Sequence, residues 1–152
     1  MTPARIRAAT VLEKAGRIEA MLQGIRSLPL ASPGDFQSDP RNAAAAESYL
    51  RRALEALLDL GRHILAKGCG RAPAEYKEVA AALARAQVLD QVRGTLMLEL
   101  AGYRNRLVHF YDEISERELY DICTTQLGDI ESVRDALLDW VRRHPERVEG
   151  EL

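Results

Sequence analysis

The chain has 152 residues, 47% of them apolar; Ala and Leu dominate the apolar side chains, while Phe and Trp together number three. This length predicts one domain, residues 1–152, with a real core, and the composition favours helices over sheets. The net charge of −2 at pH 7 excludes a polycation that coats nucleic acid. No apolar run reaches about eighteen residues, which excludes a transmembrane helix and any membrane partner.

The two cysteines, Cys69 and Cys123, lie far apart in the sequence. Cysteine use this sparse is typical of a reduced protein, so we expect both thiols to be small core hydrophobes rather than a disulfide. The N-terminus has no long apolar segment of the kind a signal peptide needs. Together these features predict a cytoplasmic protein.

The first half of the chain predicts two long helices separated by a loop. Apolar residues recur at helical spacing over residues 4–28, and three prolines and a glycine then interrupt the chain. Residues 29–38 are therefore predicted to be a mobile, proline-rich loop. Asp39 is a good N-cap and Pro40 fits the first helical position, so the second helix begins there and runs to about Lys67.

The second half predicts a short helix over residues 74–86, a fourth from about residue 89 to Phe110, and a fifth from Ser115 to about Arg143. Ser115 and Glu118 have capping-box spacing at the start of the fifth helix. Pro145 ends that helix, and residues 145–152 are expected to be frayed. The predicted fold is an all-α, up-and-down bundle of four long helices and one short helix.

Charge is distributed unevenly along the chain. Residues 39–111 carry eleven Lys and Arg against eight Asp and Glu, whereas residues 112–152 carry five against twelve. A mildly basic middle is thus followed by an acidic C-terminal region. Eighteen of the twenty-one basic residues are Arg, which suits bidentate phosphate contacts, although a genome-wide composition bias accounts for the excess equally well.

The end of the basic middle, residues 103–111 (Y-R-N-R-L-V-H-F-Y), gathers the most functional groups of any segment. Arg104 carries a guanidinium, Asn105 an amide, His109 an imidazole of the kind that transfers protons, and Tyr111 a phenol. On a straight helix, at about 100° per residue, Arg104 and His109 point about 140° apart. Either the helix ends or kinks near Leu107, or a second copy of the chain completes the site across a two-fold axis.

An Arg and a His placed together suit the cleavage of RNA without a metal. The ribose 2′-hydroxyl attacks the adjacent phosphorus, His109 moves a proton at the attacking or leaving oxygen, and Arg104 stabilises the phosphorane. Asn105 either donates to the same oxygens or orients His109. No metal-ligand spacing, Gly-rich phosphate loop or other cofactor fingerprint is present, so neither a metal nor a cofactor is expected.

Each of these residues also has a structural interpretation. His109 could be a packed histidine, Arg104 could pair with Glu99 or Asp112, and Arg106 fits a solvated surface arginine. Elsewhere in the chain, His63 is expected at the surface. His144 is expected to cap the end of the last long helix, where a cation complements the helix dipole.

The motif R-x4-H-x-Y, formed by Arg104, His109 and Tyr111 with Tyr103 before it and Asn105 within it, resembles that of the HepT family of HEPN-domain proteins. The order and length of the predicted helices resemble the same family over most of the chain. The resemblance implies a HEPN-like fold, dimeric, with two motifs facing one cleft. It further implies the toxin of a type VII toxin–antitoxin system, a metal-independent endoribonuclease acting on mRNA or tRNA.

The resemblance also implies a partner and a means of control. A cognate minimal nucleotidyltransferase antitoxin would transfer AMP to the motif tyrosine, here Tyr111, and so block the cleft. Two other functions remain open: a non-catalytic nucleotide- or partner-binding adaptor for a nucleotidyltransferase, and a dimeric helical scaffold. Loss of RNA cleavage in the His109→Ala and Arg104→Ala proteins would favour the enzyme over both.

Overall fold

The computed structural model describes residues 4–109 and 114–152. These residues form an all-α fold, as predicted, with seven helices where five were expected: α1 (Ala8–Arg26), α2 (Pro33–Gln37), α3 (Pro40–Gly68), α4 (Tyr76–Arg85), α5 (Gln91–His109), α6 (Glu116–Thr125) and α7 (Leu127–Arg142). None of the helices in these ranges is long and apolar enough to cross a membrane.

The longest helix, α3, is the centre of the fold and touches every other helix. Its start is as predicted: the Asp39 side chain accepts from the Arg41 N–H at 2.9 Å, and Pro40 is the first helical residue. One face of α3 is apolar and buried, including the fully buried Leu50, Leu57 and Ile64. Each such side chain contributes about 1.5–3 kcal/mol by leaving water, so this face holds the bundle together.

Close contact between small residues fixes α4 on α5. A Cβ placed on Gly94 of α5 would lie 2.9 Å from the Cβ of Ala84 on α4, which is closer than real side chains approach. The two helices are therefore as near each other as glycine permits. This contact sets the position of α4, whose first residue, Tyr76, faces the motif region of α5.

The prediction of a mobile loop over residues 29–38 was wrong for its second half, because Pro33–Gln37 form α2. Ser32 caps this helix by accepting from the Asp35 N–H at 3.1 Å. Phe36 is fully buried, and its ring lies 5.6 Å from that of Tyr120. A local cap and one long-range aromatic contact thus order a segment whose prolines indicated only a break.

The predicted fifth helix divides into α6 and α7 at Gln126, whose φ and ψ of −116° and 4° are not helical. The hydroxyls of Thr124 and Thr125 donate back to carbonyl oxygens of Tyr120 and Asp121. Side-chain hydrogen bonds of this kind and β-branched residues both weaken a helix. The apolar periodicity continues through the break, and for this reason the sequence predicted one helix.

The C-terminal segment, expected to be frayed, is ordered. Pro145–Arg147 form a 3-10 turn, and the two-residue strands β1 (Ile6–Arg7) and β2 (Val148–Glu149) pair in parallel. Arg147 donates to the Gly68 carbonyl oxygen at 3.0 Å. His144 caps α7 as predicted, with its Nδ1 2.7 Å from the Trp140 carbonyl oxygen. These contacts join both chain ends to the end of α3.

Candidate active site

A cavity of about 460 Å³ lies where α3, the start of α4 and the C-terminal part of α5 meet. Three of the four predicted site residues line it: Arg104, Asn105 and His109. The other lining residues were not singled out from the sequence: Arg62, Ala74, Glu75, Tyr76 and Lys77. Within residues 4–109 and 114–152, no cluster of three or more His, Cys, Asp or Glu side chains could hold a metal.

Arg104 lies in the wall of this cavity, with its side chain 19% exposed. Its Nη2 is 3.4 Å from Glu55 Oε2 on α3, and its Nη1 is 3.4 Å from Asn105 Oδ1. Its guanidinium carbon lies 4.7 Å from the centre of the Tyr76 ring. The pairing considered from the sequence with Glu99 is not formed, since that carboxylate accepts from Tyr103 instead at 2.9 Å.

Tyr76 is held from α3. Its hydroxyl donates to Asp59 Oδ1 at 2.7 Å, and Arg62 Nη1 lies 3.4 Å from the same oxygen. The guanidinium carbon of Arg62 is also 4.7 Å from the Tyr76 ring centre. Burial, reinforced by the Asp59 carboxylate, raises the pKa of Tyr76 to about 12, so the phenol is neutral at physiological pH.

Asn105 and His109 complete the motif side of the cavity. Helix α5 continues to His109, so it does not end near Leu107. Arg104 and His109 nevertheless line one cavity, together with Asn105. Asn105 is half-buried and His109 is exposed. Tyr111 lies outside the described residues.

The opposite side of α5 is anchored to α6. Arg106 is not the solvated side chain that we expected: its two Nη atoms donate to the two carboxylate oxygens of Glu118 at 2.8 and 2.7 Å. Ser115 accepts from the Glu118 N–H at 3.1 Å, which confirms half of the predicted capping box. The Glu118 carboxylate binds Arg106 and does not accept from the Ser115 N–H, which would have completed the capping box. Arg106 holds the pKa of Glu118 below its usual value.

Sequence analysis missed Glu55, Asp59, Arg62 and Tyr76. The first three follow Arg51 along one side of α3 at helical spacing, opposite the apolar stripe, and this row of charged residues of both signs was the available signal. Arg51 donates to Glu55 at 2.6 Å. Nothing local marks Tyr76, which reaches the site only because α4 packs on α5.

The other residues weighed from the sequence lie away from this cavity. His63 is half-buried rather than at the surface, and its Nε2 accepts from the Arg7 N–H at 3.0 Å. Cys123 is buried, which raises its thiol pKa to about 12, and Cys69 is half-buried; neither forms a disulfide. A larger groove of about 1450 Å³ between α4, α5 and α7 contains no motif residue.

Comparison with known structures shows the same fold in toxin–antitoxin components. A tri-AMPylated HEPN toxin of Shewanella oneidensis, in complex with MNT antitoxin, superposes with a TM-score of 0.77 at 21% identity over 86% of this chain and 97% of that chain. A toxin–antitoxin structure, a tyrosine-to-alanine mutant of MntA–HpeT, gives 0.75 at 20% identity over 86% and 98%.

A third similar structure is YutE from Bacillus subtilis, a cytosolic protein of unknown function, with a TM-score of 0.76 at 19% identity over 93% of this chain and 94% of that one. A search of curated protein sequences found no match. At these identities the structural likeness shows the HEPN fold alone. The family model described as ribonuclease HepT-like matches residues 12–137, most of the chain. The chain therefore belongs to the HepT-like ribonuclease family.

Proposed function

We propose that the chain is a metal-independent endoribonuclease, the toxin of a type VII toxin–antitoxin pair, with Arg104, Asn105 and His109 at its active site. The observation that supports this most directly is the single cavity lined by all three residues. Membership of a ribonuclease family gives the reaction class, and the toxin role is consistent with the toxins whose fold the chain shares.

The proposed reaction needs only groups of the chain and of the RNA. The 2′-hydroxyl oxygen attacks the phosphorus and loses its proton, and the bond to the 5′-oxygen breaks as that oxygen gains one. His109 moves one of these protons, and Arg104 donates to the phosphorane oxygens as their charge grows. Asn105, whose Oδ1 faces Arg104, helps to hold the guanidinium. DNA lacks the attacking hydroxyl and is spared.

The test measures cleavage of a mixed-sequence RNA by the purified protein, with and without EDTA. His109→Ala and Arg104→Ala are expected to lose activity at least about a hundredfold with unchanged helix content, and wild-type activity is expected to persist in EDTA. Arg93→Ala is the matched control, because Arg93 is on the same helix, lies outside the cavity lining, and pairs with the nearby Asp90 at 2.6 Å. A folded wild-type protein that binds its partner but never cleaves RNA would favour the adaptor function.

We further propose that the chain acts as a homodimer with a composite site. Arg104 and His109 leave α5 in different directions, and His109 is exposed at the cavity edge. A two-fold axis near this edge would let the histidine of one protomer serve the arginine of its partner.

Mixing the Arg104→Ala and His109→Ala proteins tests this arrangement. If each site takes its Arg and its His from different protomers, half the dimers are mixed and each has one intact site, so about a quarter of wild-type activity returns. Sites built within one protomer give no recovery, because every site then lacks one residue. A protein that remains a monomer in light scattering would exclude the dimer.

The proposed regulator is a nucleotidyltransferase antitoxin that adenylylates Tyr111. The Tyr111 oxygen would attack the α-phosphorus of ATP and release pyrophosphate, leaving negative charge where the RNA phosphate must bind. This agrees with the tri-AMPylated state of the similar HEPN toxin. Co-expression with a cognate nucleotidyltransferase antitoxin should add one or more adenylyl masses, lost in Tyr111→Phe. Modification mapped to Tyr103 instead would contradict the assignment.

A further inference from the structure

Arg104 makes several contacts with the described residues that orient its guanidinium, but none of them is a close ion pair with a carboxylate. Glu55 is 3.4 Å away and is shared with Arg51, which it binds more closely at 2.6 Å. The Arg104 Nε atom is buried and has no hydrogen-bond partner among residues 4–109 and 114–152. The Asn105 Oδ1 is also 3.4 Å from Arg104 Nη1, and the aromatic ring of Tyr76 lies 4.7 Å from the guanidinium carbon.

The Tyr76 ring is itself fixed at several points. Its hydroxyl is bound to Asp59 at 2.7 Å, and the Arg62 guanidinium lies over the same ring. Arg62 also donates to the carbonyl oxygen of Ala74, just before α4, at 2.8 Å. A ring held in this way is a rigid flat surface. Its phenol is neutral, since the pKa of about 12 lies far above physiological pH.

We propose that Tyr76 is the positioning residue for Arg104: its ring holds the guanidinium plane against α4, so that the charge faces the cavity. A close bidentate carboxylate would orient the arginine equally well but would also neutralise it and compete with phosphate. A neutral ring orients a cation by stacking and leaves its charge available. This inference rests on the proposed ribonuclease function and adds a residue from outside the R-x4-H-x-Y motif.

The experiment compares Tyr76→Leu with Tyr76→Phe in the RNA-cleavage assay. Loss of the ring lets the guanidinium move within the cavity, so kcat should fall about tenfold to a hundredfold in Tyr76→Leu with a much smaller change in KM. Tyr76→Phe keeps the aromatic ring, and Asp59 can still bind Arg62 when the hydroxyl is gone. The kcat of Tyr76→Phe should therefore stay within about threefold of wild type.

Tyr49→Leu is the matched control. Tyr49 is also a half-buried tyrosine, but its ring packs on Gly24 of α1, away from the cavity. This variant should lose thermal stability and keep kcat. Circular dichroism checks the fold of every protein, and Tyr76→Met, with its more adaptable side chain, replaces Tyr76→Leu if the latter loses helix content.

A double-mutant cycle shows whether Tyr76 acts through Arg104. A lysine cannot stack as a planar guanidinium does, so in an Arg104→Lys background the Tyr76→Leu change should lower kcat far less than it does in wild type. Full additivity, an unchanged kcat in folded Tyr76→Leu, or a Phe variant as slow as the Leu variant would each overturn the inference. A wild-type protein that does not cleave RNA would instead refute the proposed function.

Discussion

Arg104 and Arg106 are two residues apart on α5, yet the two sides of the helix use them differently. Arg106 makes a close, two-pronged ion pair with Glu118, at 2.8 and 2.7 Å. Arg104 is the more buried of the two, 19% exposed against 31%, but the nearest carboxylate among the described residues, that of Glu55, is 3.4 Å away and also binds Arg51. The two arginines therefore differ mainly in how closely a carboxylate binds them, and the better-paired arginine is the more exposed one.

The difference indicates which arginine can act on a substrate. Both Nη donors of Arg106 are committed to one carboxylate, so an incoming phosphate would have to displace a good partner. Arg104 is held by an aromatic ring and by long polar contacts, which restrict its position while leaving much of its charge unneutralised. The side of α5 facing α3 and α4 is thus arranged for binding, and the side facing α6 for attachment.

The largest effect should separate Arg104→Gln from Arg106→Gln. Both changes remove one positive charge from α5. We expect RNA cleavage to fall at least about a hundredfold in Arg104→Gln, because charge stabilisation at the phosphorane is lost. The rate of RNA cleavage by Arg106→Gln should stay within about threefold of wild type. Arg106 lies on the side of α5 away from the cavity, and the loss of a partly exposed ion pair costs the fold little stability. Equal losses in rate assays at matched helix content would show that the two sides of α5 are not distinct.

A change at Gly94 should disturb the Arg104 side without touching the Arg106 side. The new side chain in Gly94→Val would meet Ala84 and force α4 away from α5, carrying Tyr76 with it. Overpacking of this kind costs about 1–3 kcal/mol of unfolding free energy. We also expect kcat to fall about tenfold from the lost alignment. Urea titration and cleavage kinetics measure the two effects; a shift in stability with full activity would contradict the link between them.

A smaller effect is expected at Glu55. Glu55→Gln keeps an oxygen that can accept from Arg104 but removes the negative charge beside the cavity. RNA should then bind about threefold more tightly at moderate salt, with little change in kcat. Steady-state kinetics at several salt concentrations would show a lower KM. A large fall in kcat would mean that the carboxylate, rather than the Tyr76 ring, positions Arg104.

The smallest effect concerns stability on the Arg106 side. The hydrogen bonds from Arg106 hold the pKa of Glu118 below its usual 4.5. A carboxylate with a lowered folded-state pKa stabilises the protein above its unfolded-state pKa, and this contribution disappears as the pH falls through the folded-state value. Arg106→Gln should therefore lower the free energy of unfolding by about 1 kcal/mol or less at pH 7.

Thermal unfolding across pH gives the measurement. The difference between wild type and Arg106→Gln should shrink as the pH falls below about 4.5 and vanish once the pH is below the lowered folded-state pKa of Glu118, because this carboxyl is then protonated in both proteins. Glu118→Gln is the control, because it should show the same loss at neutral pH. A difference that persists unchanged in acid would mean that Arg106 contributes through packing rather than charge.

The sequence alone determined the helical class, the start of α3 and the motif. Asp39 and Pro40 begin α3, and Ser115 caps α6, as their spacing predicted. Caps and periodicity are readable because they depend on residues within about one helical turn. Arg104, Asn105 and His109 were identified by residue type and spacing for the same reason; their catalytic roles stay a proposal.

The tertiary structure decided which side chains from distant parts of the chain contact one another. Glu55 lies forty-nine positions from Arg104 and meets it only because α3 packs against α5. Tyr76 has no sequence signal and depends on the Gly94–Ala84 contact. The order in α2 likewise depends on the distant ring of Tyr120. Pairings such as these are set by how helices pack, so a local pattern identified the arginine of the motif but not the ring that supports it.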